Sequence, residues 1–456
     1  MEARPAPGRK QLSKAASGTA GQPSERLSPS DKPQTKLQAD HFRQQRFFAM
    51  RGRAPIPLTV AAVERLDPRA PQHQTLRITV EGECAGEFEV YPNDVLSIRW
   101  HNDPTQVEHA LDLLGERPSL PVQVATVRSA AFPGPVVTTS VKAALTEHVE
   151  LQTTSEHLLK RYGFADVVEH NAAENERYRA FHRQASGELA PGNDKCVTDL
   201  RAVSLLSVIE QLRGSRDALT VADVVALQDR VFPRPYTMSG YQRLDGGRFR
   251  ASITVSLVQK SLLEADGESR TATGRATGYL ASLRPGDLTA GLVLPDRHLF
   301  PQTLGRTVPL IIVCTGAGVA GPLALLRAGY RGGPLWFVYG VRNWQDHGLY
   351  RDELQRFAQA GVISRLDIAE SRPTRAGRPR RYVQDVLVEE SDELMAWLRD
   401  GAHLFMGGRL SMAVAVNQAL RQILISTGAC SSTEAADIRL GDWYDTLRFQ
   451  ASVSRV

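Results

Sequence analysis

"VPLIIVCTGAGVAGPLALLRA", Val308 to Ala328, decides the fold of this chain. A β-branched, continuously apolar run leads into Gly316, Gly318 and Gly321, and a helix-forming run follows. A membrane span needs about 20 apolar residues, and Arg306 and Arg327 bound this one too closely. An apolar run without alternation is what a parallel strand covered on both faces requires. Strand, glycine turn and helix together form a cradle in which free helix N–H groups face an anion.

Outward from this stretch, "PLWFVYGVR", "VISRLDIAES" and "AHLFMGG" read as further buried strands. "LYRDELQRFAQAG", "YVQDVLVEESDELMAWLRD" and "SMAVAVNQALRQILISTG" read as the helices between them. Residues 306–456 are therefore expected to form a doubly wound α/β domain with its ligand at the carboxyl ends of the strands. No acidic residue clearly ends the strand after the glycine turn, as a nicotinamide site that reads a ribose hydroxyl would have. Instead "SRPTRAGRPRRYVQ" follows the third strand, and Ser371, Arg372, Arg380, Arg381 and Tyr382 offer cations and hydroxyls to a phosphate monoester such as the 2′-phosphate of NADPH.

Short alternating runs ("TLRITVEG", "EFEVYPNDVLSIRW", "FRASITVSLV", "LTAGLVL") place an antiparallel barrel in residues 55–105 and 230–305. Residues 106–229, largely helical in pattern, interrupt it as an insertion. In "RPYTMSG", Arg234 is suited to clamping a pyrophosphate, and Tyr236 shares its strand face and can stack on a flavin ring. In "GRATGYL" another glycine turn enters a helix.

These segments, in this order, resemble the FAD/NADPH-binding half of the diflavin reductases, the family of the sulfite reductase flavoprotein and microsomal NADPH–cytochrome reductase. The resemblance runs from about Pro55 to the end and includes the helical connecting insertion. It implies a ferredoxin–NADP reductase-like fold, mixed in class: an antiparallel FAD-binding barrel with its insertion, then a doubly wound α/β NADP-binding domain. It also implies FAD and NADPH as cofactors. Arg234 would hold the FAD pyrophosphate, Tyr236 would stack on the isoalloxazine, and Thr237 would stand near the flavin N5. Gly274, Ala276 and Thr277 would cradle the FAD diphosphate. Gly316 and Gly318 would face the NADPH pyrophosphate, and Ser371, Arg372, Arg380 and Tyr382 its 2′-phosphate, with Gln384 nearby. Residues 1–54 are too few for the family's FMN domain, so electrons would pass to a separate acceptor, a flavodoxin-like or haem/iron protein.

At the hydride site the chain departs from the family pattern. Where cysteine, glycine and aspartate are usual, it has Gly407, Gly408 and Arg409. Ser452 and Ser454 stand where an acidic residue and a terminal aromatic lid are expected, Thr237 replaces a serine, and Gly321 replaces a proline. Hydride transfer depends on holding donor carbon and flavin N5 within about 3–3.5 Å, so Thr237, Gly407, Arg409 and Ser454 decide whether binding leads to chemistry. The alternative reading is a degenerate relative that binds FAD but transfers hydride poorly and serves as a scaffold subunit or in a pathway-specific reaction.

The remaining features narrow the class. The chain has 456 residues and a net charge of +5. Residues 1–53 carry 11 Lys/Arg against 4 Asp/Glu, which leaves the other 403 residues at −2. That tail, rich in Pro, Ser, Gln, Lys and Arg, is expected to be disordered, and the neutral body argues against nucleic-acid binding. No metal site is expected, because Cys84, Cys196, Cys314 and Cys430 are far apart and form no ligand-spaced pair. A reducing cytoplasmic setting is the simplest reading. Cys314 and His403 are expected to be structural, and Trp443 and Tyr444 to be packing groups rather than a substitute flavin lid.

Overall fold

A computed structural model describes residues 55–70, 74–83, 94–126, 135–185, 201–294, 307–374, 379–446 and 448–454. The basic tail, "EFEV" and Cys84 and Cys196 lie outside them, as do the side chains of residues 177–185, Val453 and Ser454.

The chain enters with β1 (Ile56–Arg65), β2 (Thr75–Glu83) and β3 (Val95–Ile98). An insertion follows, made of α1 (Pro104–Leu114), a hairpin of β4 (Pro121–Ala125) and β5 (Val136–Ser140), and five helices. These are α2 (Val141–Glu147), α3 (Glu156–Arg161), α4 (Ala165–Ala185), α5 (Leu205–Leu212) and α6 (Val221–Leu227). Asp103, Ser140, Ser155, Ser204 and Thr220 cap five of the six helices by accepting from first-turn N–H groups. The chain then returns through β6 (Arg234–Arg243), β7 (Arg248–Ser256), a hairpin of β8 (Gln259–Leu263) and β9 (Ser269–Thr273), α7 (Arg275–Ser282) and β10 (Leu288–Leu294).

Strands β1-β10-β3-β6-β7-β2 close into an antiparallel barrel. Its inward alternate residues, Leu58, Val60, Ile78, Val80, Leu96, Ile98, Met238 and Ile253 among them, form one core cluster, and a second cluster fills the insertion. Two hairpins depart from the sequence reading. The β4–β5 hairpin breaks the helical pattern of the insertion, because "PVQVA" alternates with period two and its β-branched residues fit a pleat. The β8–β9 hairpin leaves the barrel and is joined to the insertion by the Val203–Leu263 bridge.

The C-terminal half contains β11 (Leu310–Thr315), a 3₁₀ turn over Gly316–Val319, α8 (Ala320–Arg327), β12 (Leu335–Val341), α9 (Trp344–His347), α10 (Arg351–Gln359) and β13 (Arg365–Glu370). It continues with α11 (Val383–Glu389), α12 (Ser391–Arg399), β14 (His403–Arg409), α13 (Leu410–Ser426), α14 (Thr433–Asp445) and β15 (Phe449–Ser454). All five strands are parallel, in the order β13-β12-β11-β14-β15. Ile311 and Val313 face the layer of α11–α14, while Leu310, Ile312 and Cys314 face α8 and α10. Both faces of β11 are thus covered, as its unbroken apolarity requires. The run read as one helix from Tyr382 is two. Glu390 leaves helical geometry between them (φ −104°, ψ 30°), and Asp392 and Glu393 lie in the first turn of α12, where the helix dipole favours negative charge.

The barrel and the parallel sheet are pinned together. Arg327, in the last turn of α8, pairs with both oxygens of Glu353 at 2.8 Å and donates to the Ser239 carbonyl of β6 at 2.8 Å. Tyr350, in the left-handed region at φ 57°, sits 2.7 Å from the Thr254 hydroxyl of β7.

Candidate functional site

One group of charges gathers where the insertion, β6, β8 and the start of α7 meet. Arg234 and Tyr236 lie on alternate positions of β6, paired with Ile98 and Leu96 of β3. Burial pushes the Tyr236 phenol up to about 12, against the neighbouring Arg234 charge. Burial, and next the charge of Arg275, lowers the Arg234 guanidinium. The same two causes bring the Lys260 ammonium down to about 8. The nearby acid is Glu150, fully buried and paired with Arg275 at 2.5 Å, its oxygens also taking the Gln152 and Thr153 N–H groups. Arg234 and Lys260 have no ion pair among the described residues, so the group holds surplus positive charge.

The glycine turn beside it is built for close approach. A Cβ on Gly274 would lie 3.1 Å from both Val258 Cβ and Thr277 Oγ1. Thr277 Oγ1 donates to the Gly274 carbonyl at 3.0 Å and accepts from Val258 N–H at 3.3 Å, so it shapes the turn. No side chain caps the first turn of α7, which leaves its N–H groups facing outward, and Ala276 is buried behind them. Gln152, donating its Nε2 to the Thr273 carbonyl at 2.8 Å, keeps a buried Oε1 with no partner. Surplus cations, uncapped N–H groups and a spare acceptor fit a diphosphate joined to a polar nucleoside. Thr237 lies on the strand face opposite Tyr236, half-buried and paired with Val95.

The second group lies at the carboxyl ends of the parallel strands. Gly316, at φ 52°, accepts from Tyr339 Oη at 3.2 Å. Gly318 rests on β14: any Cβ there would overlap the Gly407 carbonyl, and a Cβ on Gly407 would lie 2.6 Å from the Gly318 oxygen. Gly408, at φ 147°, abuts Thr315 in the same way. Past this contact, Arg342, Arg372 and Arg409 converge from the ends of β12, β13 and β14. Burial, then the charge of Arg372, then that of Arg409, lowers the Arg342 guanidinium. No ion pair neutralises these three among the described residues. Asn343, buried next to Arg342, accepts from Gln345 and Asp346 N–H groups through Oδ1, while its Nδ2 has no partner.

The other expected residues are placed as follows. The Ser371 hydroxyl donates to the Val341 carbonyl at 3.3 Å, and Arg372 N–H to the Arg342 carbonyl at 2.7 Å, which tie the end of β13 to β12. Arg380 and Tyr382 are exposed and Gln384 half-buried at the start of α11. Residues 375–378 lie outside the described part, and among the described residues no hydrogen bond joins Arg380 or Tyr382 to Arg372. Arg381 is paired with Glu389 at 2.5 Å. Ser454 is in register with Arg409 at the edge of the sheet. Cys314 is fully buried with its thiol pushed well above the ordinary range by burial, and therefore packs. Trp443 and Tyr444 pack on Phe449, with ring centroids 4.7 and 6.0 Å away, and are core groups. His403 opens β14, its N–H donating to the Pro309 carbonyl at 2.9 Å.

Sequence reasoning missed Glu150, Lys260, Arg275, Arg342 and Asn343. Arg275 stood inside "GRATGYL" and Arg342 at the end of "PLWFVYGVR", but neither was given a role there.

A closed antiparallel barrel followed by a five-stranded parallel sheet is a ferredoxin–NADP reductase-like fold, and residues 312–418 match the oxidoreductase NAD-binding domain. In sequence the chain is similar to flavoproteins of NADPH sulfite reductase. It is 26% identical over 405 residues to the flavoprotein alpha-component of NADPH sulfite reductase from Neisseria meningitidis serogroup B, covering 88% of this chain and 60% of that protein. The same component from Citrobacter koseri is 26% identical over 404 residues (88% and 61%), and that from Escherichia coli O157:H7 25% over 404 residues (88% and 61%). The chain thus spans about 60% of the length of the curated relatives it matches. Among the described residues no helix is long and apolar enough to cross a membrane, and no cluster of metal-ligating side chains occurs.

Proposed function

We propose that the chain is an FAD-containing reductase that takes electrons from NADPH and passes them to a separate acceptor, a flavodoxin-like or haem/iron protein. The observation that carries this reading is the convergence of Arg342, Arg372 and Arg409, unneutralised, beside the glycine turn on a sheet matching an oxidoreductase NAD-binding domain. Three cations at that place suit a dinucleotide with an additional phosphate monoester.

FAD, when bound, accepts a hydride and can release the electrons one at a time. The chain's own residues do the positioning. Arg234, Lys260 and Arg275 hold the diphosphate against the first turn of α7, and Tyr236 offers its ring face to the flavin. Gly316 and Gly318 bring backbone up to the second pyrophosphate, Arg372 takes the 2′-phosphate, and Thr237 and Arg409 border the reacting face. The buried cysteines Cys314 and Cys430, both free thiols, agree with a reducing compartment such as the cytoplasm.

A second reading rests on the Gly318–Gly407 contact. No thiol or carboxylate projects from the end of β14, and the glycine turn fills the space such a side chain would take. Under that reading the dinucleotides bind and hydride transfer is slow. Stopped-flow mixing of FAD-loaded protein with NADPH separates the two. Bleaching near 450 nm within a second supports the reductase. Flavin that binds and stays oxidised, yet is bleached by dithionite, supports the binding subunit. Protein that takes up no FAD refutes both.

A further inference from the structure

A cavity of about 820 Å³ opens at the opposite end of the parallel sheet from the dinucleotide face. Its walls are α12, the end of α13, α14 and Arg448, the residue before β15. The sheet separates it from the glycine turn, because Arg448 precedes the amino end of β15 whereas Gly316 follows the carboxyl end of β11.

Its chemistry is two-sided. Leu398, Leu424, Met395 and Trp443 supply an apolar wall. Arg399, Arg439 and Arg448 supply three cations, against Asp392 as the lining acid. Arg448 is held rigid: it stacks over Trp443 at 5.1 Å, and its Nε donates to the Ala402 carbonyl at 3.0 Å while Nη2 donates to that of Leu398. Those bonds leave Nη1 unspent. Arg399 and Arg439 are exposed and have no ion pair among the described residues, and the Ala429 N–H beside them makes no hydrogen bond among the described residues. Burial and the charge of Arg439 both lower the Arg448 guanidinium, which is the cost of gathering these cations without a counter-charge. Clefts of about 300–1,000 Å³ with apolar walls and a few convergent polar groups are typical small-molecule sites.

We propose that this cavity binds a metabolite-sized oxyanion, a phosphate or carboxylate joined to an apolar body, at a site distinct from both dinucleotide sites. The anionic group sits among Arg399, Arg439 and Arg448 and takes the Ala429 N–H. The apolar body lies along Leu424, Met395 and the edge of Trp443.

The test is calorimetric titration of the full chain with 1-naphthyl phosphate and, separately, inorganic phosphate, in the parent and in Arg399→Glu/Arg439→Glu. Naphthyl phosphate should bind the parent more tightly than inorganic phosphate, because only it reaches the apolar wall. The double variant should lose affinity by about tenfold or more, since charge-assisted bonds are removed. Arg372→Glu, which alters the dinucleotide end, should leave this binding in place. Both substituted arginines are exposed, so the variant should melt with the parent. If it does not, the milder Arg439→Gln, expected to weaken binding severalfold, gives the reading instead. No binding at millimolar probe, binding unchanged in the arginine variants, or binding abolished by Arg372→Glu would each overturn the proposal.

Discussion

Replacing Gly407 by cysteine would give β14 the thiol that the diflavin pattern carries there, and on sequence grounds it should improve hydride transfer. The structure argues the reverse. The new Cβ would lie 2.6 Å from the Gly318 carbonyl oxygen, about 0.8 Å short of the 3.4 Å where ordinary contact begins, and 3.2 Å from Phe405 Cε1. The opposing atom is backbone, so no side chain can swing aside, and Gly318 already lacks a Cβ. Either β14 shifts within a sheet buried on both faces, or the Gly316–Val319 turn lifts away. Overpacking of this kind costs about 1–3 kcal/mol. If β14 absorbs the strain, the melting temperature falls by a few degrees. If the turn absorbs it, the dinucleotide cradle is spoiled and the Kd for NADPH rises about tenfold for each 1.4 kcal/mol diverted. Calorimetric melting, NADPH titration and stopped-flow bleaching of one sample distinguish these routes, while FAD content should not change because the barrel is untouched. A Gly407→Cys protein with unaltered melting and NADPH affinity and faster bleaching would refute the reasoning.

Arg372→Glu should weaken NADPH by tenfold or more, the loss of a charge-assisted bond being about 1.5–3 kcal/mol, and leave NADH within about twofold; equal losses for both would remove the 2′-phosphate role. Lys260 titrates near 8 in the folded chain, below its ordinary 10.5. A bound diphosphate would favour its charged form, so FAD binding takes up a proton, and affinity should be level below pH 8 and fall above it. Flavin titration of apoprotein across pH 7–10 checks this, and Lys260→Gln should flatten the curve; an affinity that rises with pH contradicts the assignment. Arg327→Ala leaves half-buried Glu353 unpaired and the Ser239 carbonyl without its donor, at a cost of about 1–3 kcal/mol. It should lower the melting temperature and slow bleaching at unchanged FAD content, whereas a change in melting alone would show that the two halves need not be clamped for transfer.

The architecture was legible wherever a pattern is local. The unbroken apolarity of Leu310–Cys314 announced a strand covered on both faces, and alternation in "TLRITVEG" and "FRASITVSLV" announced barrel strands. The β4–β5 hairpin was hidden because five residues of alternation are too few to outvote the helical runs around them. Charges were harder to place. Glu150 and Arg275 meet across 125 positions, and nothing in "HVELQ" marks its glutamate as a counter-ion. Arg342, Arg372 and Arg409 share a site only because three strands of one parallel sheet end at the same edge, with β11 between β12 and β14. The Gly318–Gly407 contact is likewise invisible in one dimension: each glycine has its own local reason to be there, and the shared one appears only on folding.

Strand β6 has a consequence for rates. It carries Arg234 and Tyr236 at its start, and three residues after Tyr236 its carbonyl at Ser239 receives Arg327, the end of the helix that the glycine turn begins. The two proposed dinucleotide seats are thus gauged from one length of extended backbone, with the contact of Tyr350 to Thr254 of β7 as a second fixing point. A gap set by a strand cannot be widened gradually, because a strand slips only by whole residues and each slip turns its side chains to the other face. In the proposed reading, the separation between the two seats is therefore set by where Arg327 and Tyr350 grip β6 and β7.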